Sequence, residues 1–197
     1  MPSMWLGGGE RSAVDDVLSR AAEPPVREVS LHELHVGAGT DPRRAYPPFM
    51  ARSVVPVSGP GLAWDATYDK IGTWGKTRSE AVIKIIGMQP TPTTEALLNQ
   101  WYVERHIPQE LDFPGVLGAA RYRRVSDEPA NDGLGYRYPR YLALYFYEDL
   151  AAAEAWEASP QRAAAYADVT AFLKRTGVTR LWRVRYVPLD AAAHPTG

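Results

Sequence analysis

Hydrophobic positions along the chain keep regular periods from about residue 79 onward and keep none for long before it. Ala81-Val-Ile-Lys-Ile-Ile-Gly-Met88 is a compact β-branched run and predicts a buried strand. Pro90-Thr-Pro-Thr-Thr94 then opens a helix, with Thr93 or Thr94 as N-cap and Glu95 near the first turn. Leu97, Leu98, Trp101, Val103 and Ile107 carry that helix to about Gln109. Pro114-Gly115 closes it and leads into a second strand, Val116 to Val125, followed by a polar loop, Ser126 to Arg137. Tyr141-Leu-Ala-Leu-Tyr-Phe-Tyr147 predicts a third strand. A helix from Leu150 to Ser159 is interrupted at Pro160 and resumes from Gln161 to Arg175, where Gly177 stops it; Val178 to Val187 is the fourth strand.

The order β-α-β-β-α-β is the split βαβ unit of ferredoxin-like α+β folds. Such a sheet carries helices on one face only, so its other face needs a cover. Alternation on the third strand directs Leu142, Leu144 and Phe146 toward the helices and Tyr141, Ala143, Tyr145 and Tyr147 away from them. On the first strand Ile83 and Ile85 oppose Val82, Lys84 and Ile86. On the fourth, Arg180, Trp182, Val184 and Tyr186 oppose Leu181, Arg183, Arg185 and Val187. A second face mixing Tyr, Trp and Lys suits a dimer interface or a ligand cavity.

Residues 1–78 are punctuated by Gly7-Gly8-Gly9, Pro24-Pro25, Pro47-Pro48 and Gly59-Pro60-Gly61. A short helix from Glu10 to Ala22 and a strand from Val26 to Val36 are the elements expected there. From Gly37 to Trp74 no period holds, yet Tyr46, Phe49, Trp64, Tyr68 and Trp74 are too aromatic for disorder and suggest a packed covering arm. The chain thus divides into an N-terminal extension (1–78), a barrel-type unit (79–189) and a flexible tail (190–197).

Composition narrows the function classes. With 197 residues, 45% hydrophobic positions and a net charge of -1, the chain can bury a core and lacks the basic excess of a nucleic-acid binder. The absence of Cys excludes thiolate nucleophiles, Cys-based zinc sites and iron–sulfur clusters. No apolar stretch reaches the roughly 20 residues of a membrane span, and the N-terminus lacks a signal-peptide pattern; a cytoplasmic location is expected. The 18 Arg against 4 Lys reflect codon choice in a GC-rich source more than mechanism.

Asn99-Gln-Trp101-Tyr102-Val-Glu-Arg-His106-Ile107-Pro108, followed by Pro114-Gly115 and the Arg121-Tyr122-Arg123 strand, resembles the signature of dimeric α+β-barrel proteins. Within that superfamily it is similar to small bacterial EthD-like proteins with the pattern N-x-W-Y-x-x-x-H-I-P. The resemblance implies a ferredoxin-like unit that pairs as a homodimer into a barrel. It also implies a cofactor-independent enzyme acting by acid–base chemistry, by cyclisation, isomerisation or dehydration, on a hydrophobic aromatic or polyketide-like small molecule of bacterial secondary metabolism. Monooxygenases, cofactor-independent or haem-dependent, share the scaffold and are the alternative, as is a non-catalytic binding dimer. The first 78 residues lie outside the resemblance. They form either an arm or a degenerate half that closes the barrel within one chain.

His106 follows Tyr102 by four residues, so both share a helix face. Near a helix C-terminus the imidazole would be protonated and could shuttle a proton with Tyr102 as its partner; capping the helix end is the competing role. Trp101 continues the core stripe of Leu97 and Leu98, and Arg105 is solvated, paired with Glu104 or Glu110, or clamps a substrate anion. Lys84 interrupts an apolar strand, either reaching the barrel cavity beside Tyr141 and Tyr145 or forming a salt bridge at a sheet edge. His32 and His35 point to opposite strand faces and cannot share a metal ion.

Overall fold

The computed structural model describes residues 3–9, 29–35, 40, 46, 49–53, 64–126 and 138–189. These residues form eight strands, with helices on the outside of one half. They are β1 (Ser3–Gly9), β2 (Val29–Leu34), β3 (Phe49–Ser53), β4 (Trp64–Gly75), β5 (Val82–Gln89), β6 (Val116–Arg124), β7 (Tyr141–Tyr147) and β8 (Thr179–Pro188). Between β5 and β6 run α1 (Glu95–Trp101), a π-helical turn (Tyr102–His106) and α2 (Ile107–Leu111); between β7 and β8 run α3 (Leu150–Ala158) and α4 (Pro160–Thr176). The β-α-β-β-α-β unit is therefore as expected, and the fold is α+β.

The second sheet comes from the chain itself. The strands close into an antiparallel barrel in the order β1-β3-β2-β8-β5-β7-β6-β4, with β4 returning to β1. The segment expected to be an irregular arm supplies β3 and β4. Its strands were obscured because β3 is only five residues long and β4 carries Gly72 and a bulge between Lys70 and Gly72, both of which break a period-2 pattern. The partner sheet implied by a dimeric barrel is not needed for closure. The expected helix at Glu10–Ala22 and the tail 190–197 lie outside the described residues, as does most of the polar loop before β7.

Closure reverses the two sheet faces relative to the sequence expectation. Leu142, Leu144 and Phe146 point into the barrel, where they pack with Ile83, Ile85, Trp182, Val184 and Tyr186, and with Met4, Met50 and Tyr68 of the first half. Tyr141, Ala143, Tyr145 and Tyr147 lie under the helices instead, with Leu98, Trp101, Trp156 and Phe172. All seven residues of β7 are buried, so alternation within it cannot tell which face meets which layer. The Leu/Phe side faces the lumen, which eight strands leave just wide enough for side chains and which also takes the His32 imidazole and the Arg52 guanidinium, 5.4 Å from the Phe146 ring centre. On the Tyr side the helical segments give Tyr141 and Tyr147 carboxylate partners, Glu95 and Glu110.

Local signals set the helix ends. Asp149 accepts a hydrogen bond from the Ala152 amide (2.7 Å) and Ser159 from that of Arg162 (3.0 Å), with Pro160 at the first position of α4. Gly177 ends α4 at φ 72°, the left-handed position that favours glycine. Thr94 caps α1 without a side-chain bond into the helix; its hydroxyl accepts from the Thr91 amide instead (3.0 Å).

A truncated chain starting at Ser79 would expose the edges of β8 and β6 that β2 and β4 cover, along with the lumen face of β5–β8. It is expected to aggregate or self-pair, as judged by light scattering and circular dichroism. A folded monomer of that fragment would contradict the single-chain closure.

Candidate functional site

The helix between β5 and β6 does not end at His106. Pro108 has no amide hydrogen to give to the turn before it, and the helix widens: the Ile107 amide reaches back to the Tyr102 carbonyl, five residues away, before α2 continues to Leu111. Such π turns cluster at functional sites. His106 is therefore internal to a continuous helical segment and caps nothing. The turn directs both Tyr102 and His106 into the layer between helix and sheet, where they are 1% and 3% exposed.

His106 stacks on Trp101 (centroids 4.7 Å, 12° between planes) and meets Tyr102 and Tyr145 edge-on. Its Nε2 lies 3.8 Å from Glu110 Oε1, and its Nδ1 has no hydrogen-bond partner among the described residues. Burial, and then the nearby Lys84 ammonium, push its pKa down to about 3. The expected protonated imidazole is thus a neutral one. The terminal carbonyls that would have favoured the charge are absent from this part of the helix, and desolvation outweighs any remaining dipole.

Lys84 is the charged centre of the layer. It sits on β5 between β8 and β7, on the helix side rather than in the barrel lumen, and its Nζ donates to Glu110 Oε2 at 2.7 Å. Three rings surround the ammonium at 4.9 Å (Tyr145), 5.5 Å (Tyr147) and 5.2 Å (Trp156). Burial lowers the Lys84 pKa and raises that of Glu110, and the charge of each partner opposes the shift of the other. At this contact distance, with the Tyr147 hydroxyl also 3.4 Å from Glu110 Oε2, the ion pair is the favoured state. Lys84 and Glu110 are 26 residues apart, and no local motif joins them.

The other sequence candidates separate from this centre. Trp101 is core, stacked on Phe172 at 4.4 Å with its Nε1 donating to Asp168 (3.3 Å). Arg105 is 62% exposed and pairs with Asp168 at 2.9 Å rather than with Glu104 or Glu110. The Tyr102 hydroxyl is buried with no partner among the described residues, so it is not hydrogen-bonded to His106. Tyr145 underlies both Lys84 and His106. Tyr141 donates to Glu95 and accepts from Asn99, whose carbonyl in turn accepts from the buried Arg121 (2.8 Å). His32 is fully buried in the barrel end near Arg52, while His35 lies on the outside, 3.8 Å from Glu154. The two histidines are apart, as their spacing on a strand requires.

A cleft opens beside Lys84 and Glu110, between β5/β8 and the helices α3 and α4. His106 and Trp156 line its floor, and Arg162, Tyr166, Arg180 and Arg183 line its sides. Glu157 there holds two guanidinium groups, Arg183 at 2.7 Å and Arg162 at 3.1 Å. Glu110, Glu157 and Arg183 were missed by local sequence reasoning because their roles arise only when α2, α3 and β8 meet. The cavity measures about 40 Å³, room for a few waters or one small group at ~10–15 Å³ each.

A haem does not fit these residues. Trp101 covers one face of His106, and the cavity beside it is far smaller than a porphyrin needs; the imidazole of His32 faces a lumen filled by side chains.

No family model matches the chain, and no curated protein is similar to it in sequence. Solved structures do share its fold. A major regulator of staphylococcal pathogenesis aligns over 95% of this chain and 99% of its own, with 10% identity and a TM-score of 0.61. An uncharacterised ferredoxin-fold protein from Listeria monocytogenes, related to antibiotic biosynthesis monooxygenases, aligns over 95% of each chain (10% identity, TM-score 0.56). An anthrone oxidase-like protein aligns over 95% of this chain and 90% of its own (10% identity, TM-score 0.56). At these identities the likeness establishes an α+β ferredoxin-like fold.

Proposed function

We propose that this protein is a monooxygenase-type enzyme that works without a cofactor on a small, electron-rich aromatic molecule, using the Lys84–Glu110 pair at the floor of the helix-side cleft. The observation that carries the proposal is that pair: a buried carboxylate and ammonium at 2.7 Å, both reaching the cleft, beside a neutral imidazole. Strongly perturbed ionisable groups in a cleft mark a reactive site. Oxidation is preferred over cyclisation or isomerisation because the similar folds include a protein related to antibiotic biosynthesis monooxygenases and an anthrone oxidase-like protein.

In this reading Glu110 is the base. Burial raises its proton affinity above that of an ordinary carboxylate, which suits it to remove a proton from an activated methylene better than His106, whose pKa near 3 makes it a weak base. Lys84 stabilises the resulting carbanion electrostatically. That carbanion supplies the electrons to dioxygen; one oxygen atom becomes the new carbonyl and the other leaves as water with the two hydrogens of the methylene. The cavity holds only the reacting edge of such a substrate, so its rings rest in the open part of the cleft.

The test is oxygen uptake with anthrone and related hydroxyaromatic methylene compounds, using protein dialysed against chelator. The expected result is one O2 consumed per carbonyl formed, with Tyr102→Phe retaining turnover within about threefold because its hydroxyl has no hydrogen-bond partner among the described residues. Saturable binding without oxygen uptake would favour a non-catalytic binding protein.

A further inference from the structure

Arg121 is a buried cation without an anion. It stands on β6 under the helices, 2% exposed, and no carboxylate bonds to it among the described residues. Its Nη2 donates to the neutral side-chain oxygen of Asn99 at 2.8 Å, and its Nε has no hydrogen-bond partner. The centre of the guanidinium lies 4.3 Å from the Tyr102 ring centre and 5.4 Å from that of Tyr141. Burial works against the charge, and only the phenols of Tyr102, Tyr145 and Tyr141 work for it. Burial raises the pKa of all three phenols, so none supplies a counter-charge near neutral pH. The carboxylates of the layer are engaged elsewhere: Glu110 by Lys84, and Glu95 by Tyr141 and Arg140. A guanidinium cannot shed its proton to escape burial, and a buried charge left unpaired is costly.

A second orphaned donor lies beside it. Tyr145 on β7 is fully buried, and its hydroxyl has no partner. The register sets Arg121 opposite Ala143 and Tyr145 opposite Ala119, so Arg121 and Tyr145 are diagonal neighbours on one sheet face, within reach of each other for long side chains. The other diagonal of that square, Ala119 and Ala143, carries only methyl groups. We infer that a small monovalent anion of halide size is held there, accepting hydrogen bonds from Arg121 Nε and the Tyr145 hydroxyl. A water would satisfy the two donors and leave the charge unpaired. The gap left by two alanines under a closed helix layer suits a single ion rather than an organic acid. Neither Arg121 nor Tyr145 lines the cleft at Lys84 and Glu110. The site is therefore separate from that centre and does not rest on the oxygenase reading.

The experiment is thermal unfolding of the full chain in sodium chloride and in sodium gluconate at equal ionic strength, with bromide-soaked crystals to locate the ion. An ion bound only by the folded chain stabilises it by mass action. Exchanging gluconate for about 0.3 M chloride is expected to raise the melting temperature by about 3 °C or more. Arg121→Gln removes the charge and is expected to abolish that response. Tyr145→Phe keeps the charge, removes one donor, and is expected to lose about half of the response or more. Bromide is expected within hydrogen-bond distance of Arg121 Nε. No response in the parent would overturn the inference. So would a response of equal size in Arg121→Gln, which marks a general salt effect, or crystals in which bromide binds elsewhere and only water meets Arg121. If Arg121→Gln does not fold, Tyr145→Phe and the bromide position decide the question, a full response in Tyr145→Phe with no bromide at Arg121 counting against the site.

Discussion

Replacing Glu110 with Ala is expected to cost about 3–5 kcal/mol of stability, the usual penalty for leaving one member of a buried ion pair without its partner. Lys84 would then hold its ammonium among Tyr145, Tyr147 and Trp156 with 4% of its surface exposed and no bonded carboxylate, Glu157 being left to act on it through space. Cation–π contacts recover only part of the lost solvation. For a chain of this size the melting temperature should fall by about 6–20 °C. The double variant Lys84→Met/Glu110→Leu removes both charges and fills the site with apolar volume, and it is expected to match the parent or exceed it. Thermal and urea unfolding of the two variants checks the pair. A single variant within about 1 kcal/mol of the parent would mean that water reaches Lys84 freely and that the layer is not closed as described.

Acidification should destabilise the fold steeply below the ordinary pKa of histidine. His32 and His106 are both buried neutral, with pKa values lowered to about 4 and about 3 from 6.5. Burial is the first cause for each, followed by the charge of Arg52 on His32 and of Lys84 on His106. Between those lowered values and 6.5 the unfolded chain binds protons that the folded chain does not, so stability is full above pH 6.5 and is lost as pH falls. From pH 7 to pH 5 the two groups together account for roughly 4 kcal/mol at most. Glu110, whose carboxyl is raised by burial, gains protons more readily when folded and trims this loss. Urea unfolding at the two pH values measures the slope, and His106→Phe should remove about half of it. A stability that is flat from pH 7 to pH 5 would show that neither imidazole is buried as found.

The elements of the second half were legible because each carries its own local signal. Pro160 divides two helices, Gly177 stops the second, and the β-branched run at β5 reads as a strand without help. In the four-stranded first half β2 was legible, as the strand expected from Val26 to Val36, whereas β1, β3 and β4 were not, for a physical reason. β3 and β4 are held by neighbours distant in sequence, Met50 against His32 and Tyr68 against Arg124, and their short or bulged patterns mean little until the barrel closes. The same non-locality hid the faces of β7, where Tyr and Leu alternate but every position is buried. At the site, Lys84 was visible as a charge in an apolar strand and His106 as a helical neighbour of Tyr102. Glu110, which completes the ion pair, differs from any solvated helix carboxylate only through tertiary contact.

That pair also separates structure from chemistry, since Lys84→Met/Glu110→Leu is expected to keep the fold while deleting the base and its stabilising charge. The most direct measurement is therefore the rate of oxygen uptake by this double variant, on a substrate that the parent oxidises, with folding verified by its melting temperature. The account predicts a loss of at least about 100-fold, the scale of a positioned acid–base group. Turnover within a few-fold of the parent, in a variant that is equally stable, would contradict the assignment of the helix-side cleft as the reactive centre.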